Sequence, residues 1–167
     1  MSDKPQIAKL AAIHDTSGFD CGVDALNRFI KLYALQGQRA EVSQTYVAAV
    51  EGVVVGYHTL VVGNVFHDDA PDRLKKGIPR HPIPMILVAR LAVDANWRGR
   101  GLGAALVVDA MRRTLEAADI AGVRALLVQA KDDAAQQFYR HLGFEAFPSN
   151  PLTLYRLIKD IKVMTRK

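Results

Sequence analysis

The stretch Leu91-Ala-Val-Asp-Ala-Asn-Trp-Arg-Gly-Arg-Gly-Leu-Gly-Ala104 decides how this chain folds. An apolar run from Met85 to Val93 enters glycines at alternate positions. It then passes directly into a helical pattern from Leu102 to Ile120, with Ala104, Val108, Met111, Leu115 and Ala118 on one stripe. The segment therefore predicts a strand, a tight loop and a helix. Gly99, Gly101 and Gly103 allow the backbone to turn sharply and approach a ligand closely. The N–H groups of a helix's first turn lack intrahelical acceptors and point outward at the positive end of the dipole, so a pyrophosphate here would satisfy several donors at once.

Two other phosphate loops are excluded by spacing. No Gly-Lys-Ser/Thr follows, which removes the nucleoside-triphosphate loop, and the glycines alternate where the dinucleotide fingerprint needs G-x-G-x-x-G. A tight strand-to-helix connection with no ligand remains the competing reading of the same glycines.

Working outward, Ala125 to Ala130 reads as a strand, completing a strand–helix–strand unit. Asp132 or Asp133 caps a short helix through Tyr139 and His141, Gly143 ends it, and Phe144 to Phe147 and Thr153 to Ile158 close the sheet. On the N-terminal side, Ile7 to Ile13 reads as a strand and Asp15 to Gly18 as a turn. A helix follows, with Val23, Leu26, Ile30 and Tyr33 as its core stripe. Thr45 to Val50 and Val53 to Val62, separated by Glu51-Gly52, read as a hairpin. Between Gly63 and Pro84 the prolines at 71, 79, 82 and 84 predict a long loop with no regular element, rich in charge.

Composition narrows the class. With 167 residues, half of them hydrophobic, the chain can bury a core without disulfides or structural metal, and one domain over 1–167 is expected. The lone Cys21 has no partner for a bridge, and a packing role suits it better than a covalent catalytic one. His14, His58, His67, His81 and His141 are not spaced as metal ligands, so no metal is expected. Neither a signal-peptide stretch nor an apolar run of about 18 residues occurs, and a cytoplasmic, non-membrane protein is expected. Lys plus Arg exceed Asp plus Glu by 22 to 17, a formal charge of +5 that suits a polyanionic partner.

Arg98-x-x-Gly101-x-Gly103 resembles the R/Q-x-x-G-x-G/A signature of GNAT acetyltransferases, and Phe138-Tyr139-Arg140-His141-Leu142-Gly143-Phe144 resembles that family's F-Y-x-x-x-G-F segment. The resemblance implies an α/β GNAT fold, a mixed central sheet flanked by helices, with acetyl-CoA as cosubstrate. It places the cofactor along Leu91, Ala92, Val93, Arg98, Gly99, Arg100, Gly101, Leu102, Gly103 and Ala104. Tyr139 becomes the general acid for the departing thiolate, and backbone N–H near Val93 the donor to the oxyanion.

Further segments resemble one branch of that family, the tRNA-acetylating toxins of bacterial toxin–antitoxin pairs. They are Phe19-Asp-Cys-Gly22, Leu26-Asn27-x-Phe29, Ala34 to Gln38, Ser43-x-Thr45, Val55-Gly-Tyr57, Pro82-Ile-Pro84 and Ala89-Arg-Leu-Ala-Val-Asp94. This likeness implies acetylation of the α-amine of aminoacyl-tRNA, silencing by a ribbon-helix-helix antitoxin, and a homodimer. Basic residues Arg39, Arg80 and Arg90, with Arg73, Lys75 and Lys76, lie in regions that could frame the polyanion. An α-amine, with a free pKa of about 7.7 to 8 against about 10.4 for lysine, needs little help from a protein base. This fits a sequence with no obvious buried carboxylate base. Two alternatives stay open: a GNAT enzyme for a protein N-terminus or small amine, and a CoA- or antitoxin-binding module without turnover.

Overall fold

A computed structural model describes residues 4–165. Its strands are β1 (Gln6–Lys9), β2 (Gln44–Val50), β3 (Val53–Val65), β4 (Ile83–Val93), β5 (Ala125–Gln129), β6 (Glu145–Phe147) and β7 (Asn150–Leu157). They form one mixed sheet in the order β1-β2-β3-β4-β5-β7-β6. The helices are α1 (Asp24–Arg28), α2 (Ala34–Arg39), α3 (Asp72–Lys75), α4 (Leu102–Ile120), α5 (Asp133–His141) and α6 (Ile158–Thr165). The expected α/β fold with helices flanking a mixed sheet is the fold found.

By its contacts the chain divides into two compact units, Met1–Val61 with Ala89–Ala110, and Val62–Val88 with Met111–Lys167. In the first, β1 pairs with β2 and β2 with β3, both antiparallel, and β2 carries a bulge between Ala48 and Ala49. The β2–β3 connection is the expected hairpin at Glu51-Gly52, both in positive φ. Leu10, Phe19, Phe29, Ile30, Ala34, Val47, Val54 and Tyr57 make one core cluster. Ala48, Val55, Leu102 and Leu106 make another, which seats the start of α4. Gly56 permits that seat, because a β-carbon there would stand 3.0 Å from Leu106 and 3.2 Å from Leu102.

In the second unit β4 and β5 are parallel, the crossover order that a strand–helix–strand segment predicts. Their register runs Met85–Ala125, Ile86–Leu126 and Leu87–Leu127. It goes no further among the described residues, although β4 continues to Val93. β7 pairs antiparallel with both β5 and β6. Leu74, Ile83, Met85, Ala125, Leu127, Phe147, Tyr155 and Leu157 form the core of this unit.

Four local expectations need correction. The first strand ends at Lys9, because Ala11 to His14 closes a turn in which Ala11 N–H donates to His14 Nδ1, and Ile13 is left exposed. The stripe ending at Tyr33 is broken by a π-helical turn over Phe29–Tyr33. The wider turn brings Ala34 back to the core after Ile30, while Val23 and Tyr33 face solvent. Gly63 to Pro84 is not structureless: β3 runs on to Val65, and α3 starts after Pro71 with Leu74 fully buried. Arg124 holds this segment by donating to the carbonyls of Leu74 and Lys76. Finally, α6 was not expected; it buries Ile161.

Candidate active site

The loop after β4 is built by Asp94. Its Oδ1 accepts the Asn96 N–H at 2.9 Å, capping a 3-10 turn over Ala95–Trp97, and its Oδ2 accepts the Asp20 N–H at 3.1 Å. The Asp94 N–H donates to Val55 O, and Ala95 N–H to Asp20 O. Asp94 is thus a buried carboxylate that the sequence did not disclose as one. Both of its oxygens are occupied by backbone donors, so it serves as a brace and not as a base.

Past Trp97 the backbone alternates in hand. Arg98 has φ −66°, Gly99 +76° and Gly101 +79°, and Arg100 is not among the residues with positive φ. Successive N–H groups in such an alternation point to one side and form a concavity for an anion. A β-carbon at Gly99 or Gly101 would meet no atom within 4 Å, so conformation and not crowding requires glycine at both. The Gly101 carbonyl accepts the Ala105 N–H, which leaves Leu102, Gly103 and Ala104 as the first-turn donors of α4. This donor set, with no carboxylate between Arg98 and Ala104, fits the pyrophosphate of acetyl-CoA.

Other expected cofactor residues surround that loop. Ala92 is buried, and Leu91 and Val93 pack with Trp97 against the cluster that seats α4. The Arg100 guanidinium stacks 4.4 Å above the Trp97 ring. Arg98 turns inward: its Nη2 donates to the Cys21 carbonyl.

Tyr139 lies on α5, whose N-cap is Asp132, with Oδ1 accepting the Ala135 N–H at 2.8 Å. Of the two candidate caps, Asp132 is the one used. Tyr139 packs edge-on against Phe138 and Phe144, and burial pushes its phenol up to about 12. Among the described residues its hydroxyl has no hydrogen-bond partner. Tyr57 behaves otherwise: it is fully buried, and its hydroxyl donates to Leu26 O at 2.7 Å.

The arginines expected to frame a polyanion sit in four different settings. Arg39 is exposed at the end of α2. Arg90 is partly buried with its guanidinium 3.8 Å from the centre of the Phe29 ring, and Arg80 pairs with Asp68 at 2.6 Å in a solvent-exposed contact. Arg73 is committed to Glu145 and Asp160, which clamp it from two sides and hold its guanidinium firmly charged. Cys21 is buried, and its weak thiol contact goes to Val23 O, as a packing role predicts. Among the described residues no group of three or more His, Cys, Asp or Glu could hold a metal ion, and no helix is long and apolar enough to cross a membrane.

One polar pair escaped sequence reasoning. His58 on β3, fully buried and stacked on Tyr46, places Nε2 2.8 Å from Asp109 Oδ2 on α4. The pair fastens α4 to β3 below the phosphate loop, and the separation of 51 residues leaves no local signal that would find it.

Residues 41–146 match the family model described as acetyltransferase (GNAT) domain. The chain is 40% identical to a "tRNA-acetylating toxin" of Mycobacterium tuberculosis, over 93% of each chain. Two solved structures are similar throughout. AtaT complexed with acetyl-methionyl-tRNAfMet superposes with a TM-score of 0.89 at 31% identity, covering 96% of this chain and 99% of that one. A tyrosine-to-phenylalanine mutant of AtaT, bound to the C-terminus of the antitoxin AtaR and acetyl-CoA, gives 0.83 at 28% identity over 99% and 100%.

Proposed function

The chain belongs to the GNAT acetyltransferase family, and on that premise we propose that it is a tRNA-acetylating toxin, transferring acetyl from acetyl-CoA to the α-amine of aminoacyl-tRNA. The observation that carries this reading is the 40% identity, over 93% of each chain, to a tRNA-acetylating toxin, supported by a glycine loop of alternating backbone hand at the start of α4.

Each step is assigned to named groups. The backbone N–H groups from Gly99 to Ala104 bind the cofactor pyrophosphate at the start of α4. Acetyl-CoA, when bound there, supplies the acetyl thioester. The neutral α-amine attacks the thioester carbonyl carbon, an N–C bond forms and the C–S bond breaks. Backbone N–H on β4 near Val93 donates to the carbonyl oxygen; the neighbouring Asp94 N–H is already given to Val55. Tyr139 donates its proton to the departing thiolate sulfur, and the phenolate recovers a proton released by the new amide nitrogen. A phenol raised to about 12 is protonated before the step, and its anion is basic enough to be reprotonated afterwards.

The acceptor's phosphates are met by basic side chains, Arg39, Arg80 and Arg90 among them. An antitoxin silences the enzyme, two copies pair as a homodimer, and the reaction takes place in the cytoplasm, where aminoacyl-tRNA is found. The test is transfer of labelled acetyl from acetyl-CoA to charged tRNA, with deacylated tRNA as control. Label on charged tRNA alone is expected; label on a polyamine or peptide amine with none on charged tRNA overturns the acceptor assignment.

A further inference from the structure

Arg98 occupies the first position of the phosphate signature, where a cation beside a pyrophosphate invites assignment as an ionic ligand. Its surroundings point elsewhere. The guanidinium Nη2 donates to the Cys21 carbonyl, and a β-carbon added at Gly22 would stand 3.3 Å from the same nitrogen. The segment that receives it is tied to the cofactor loop twice more, by Asp20 N–H on Asp94 Oδ2 and by Ala95 N–H on Asp20 O. It is also fixed internally: the Asp20 carboxylate accepts from Gly22 N–H and from Asn27, and Phe19 is buried against Tyr57.

This arrangement addresses a specific weakness. Two glycines flank Arg100 at positive φ, and each has more backbone freedom to lose on ordering than any other residue would. At its far end the loop is held by α4. At its near end only the residues before Gly99 can hold it, and these are the residues tied to 20–22.

We propose that Arg98 is a positioning residue: by N–H donation to the Cys21 carbonyl it clamps the entrance of the Gly99–Gly101 loop to the Asp20–Gly22 segment, and its charge is dispensable for binding the CoA pyrophosphate. The inference rests on the reading of this loop as the cofactor site, and Gly101→Asp tests that reading separately.

The experiment is calorimetric titration of acetyl-CoA over a range of salt into the full chain carrying Arg98→Gln, a neutral side chain that can still donate to a carbonyl, or Arg98→Leu, which cannot. For Arg98→Gln an affinity within about threefold of wild type, with the salt dependence unchanged, is expected; for Arg98→Leu a loss of about tenfold or more is expected. If Arg98→Gln loses as much as Arg98→Leu and its salt dependence flattens, Arg98 is an ionic phosphate ligand and the proposal is overturned. Wild-type affinity in Arg98→Leu overturns it too. Should Arg98→Leu not fold, Gly22→Ala reaches the same contact from the opposite side. There a several-fold loss with unchanged salt dependence supports the clamp, and wild-type affinity removes it. A Gly101→Asp protein that still binds acetyl-CoA defeats the cofactor site itself, whereas its failure to bind, together with equal losses in both Arg98 variants, defeats only the clamp.

Discussion

A β-carbon on Gly143 would lie 2.7 Å from Cζ of Arg156. The guanidinium from β7 occupies that space because Nη1 donates to the Leu142 carbonyl at 2.8 Å, just past the last turn of α5. A positive group at this end of a helix satisfies a carbonyl left over by the helix and opposes the negative end of its dipole. The glycine of the Phe138-Tyr139-x-x-x-Gly143-Phe144 segment is therefore required by a side chain from another strand as well as by its own φ of +93°.

Gly143→Ala is expected to destabilise the protein by about 1 to 3 kcal/mol through the strained φ alone, with more from displacing Arg156. Urea unfolding checks the first part. Turnover in the folded fraction should also fall, since the displaced guanidinium no longer fixes the end of the helix that carries Tyr139. Wild-type stability would mean that Arg156 moves aside freely and does not fix α5.

Gly101→Asp is expected to abolish acetyl-CoA binding while the chain stays folded. No atom lies within 4 Å of the added β-carbon, so the substitution costs little by crowding. It does force a non-glycine residue to φ +79° and places a carboxylate among the N–H donors meant for a phosphate. Calorimetry with acetyl-CoA measures it, with Gly101→Ala as the companion that carries the strain without the charge. An affinity for Gly101→Asp equal to that of Gly101→Ala would show that no anion binds there.

The strand, glycine loop and long helix were legible in the sequence because three local signals agree there: an apolar run, glycines at alternate positions, then helical periodicity. The helix runs from Leu102 to Ile120, as the pattern indicates. The Asp132-Asp133 pair and Gly143 marked α5 for the same reason, each acting within a few residues of its own position, and the structure uses Asp132 as the cap. What stayed hidden is what folding brings together over distance. Arg98 meets Cys21 across 77 positions, His58 meets Asp109 across 51, and Arg73 meets Glu145 across 72. A basic residue already committed to two carboxylates, such as Arg73, looks in the sequence like any free cation. The stripe through Tyr33 failed differently, because periodicity assumes one helical pitch and the Phe29–Tyr33 turn has another.

Tyr139→Phe is expected to lower single-turnover rates by on the order of 10² to 10⁴ with acetyl-CoA affinity nearly unchanged, since only the proton donor is removed. The pH profile adds a second check. With its phenol raised to about 12 by burial, wild type should gain rate as the α-amine deprotonates and then stay level through pH 10. A fall centred near 10 would belong to an unshifted phenol. The same shift bears on stability: the folded value exceeds the unfolded value of about 10, so its contribution is complete below pH 10 and is lost as the pH rises through about 12. Tyr139→Phe should lack that part of the alkaline loss.

Arg39, Arg80 and Arg90 should contribute unequally to tRNA binding, because each begins from a different setting. A side chain that neutralises a phosphate releases about one counterion, so its removal lowers the salt slope of binding by about one. Arg39 is exposed at the end of α2, and Arg39→Ala is expected to reduce both affinity and slope. Arg80 must first be released by Asp68, whose carboxylate it holds below the usual range, so Arg80→Ala should cost less than Arg39→Ala. Asp68→Asn should tighten binding by freeing the guanidinium. Arg90 rests on Phe29, so Arg90→Lys, which keeps the charge but not the planar stacking, should keep most of the slope and lose packing. Filter binding of charged tRNA across a salt series measures all four. If Asp68→Asn leaves affinity unchanged and Arg80→Ala matches wild type, Arg80 lies outside the tRNA footprint, and the basic surface must be sought around α2 and β4.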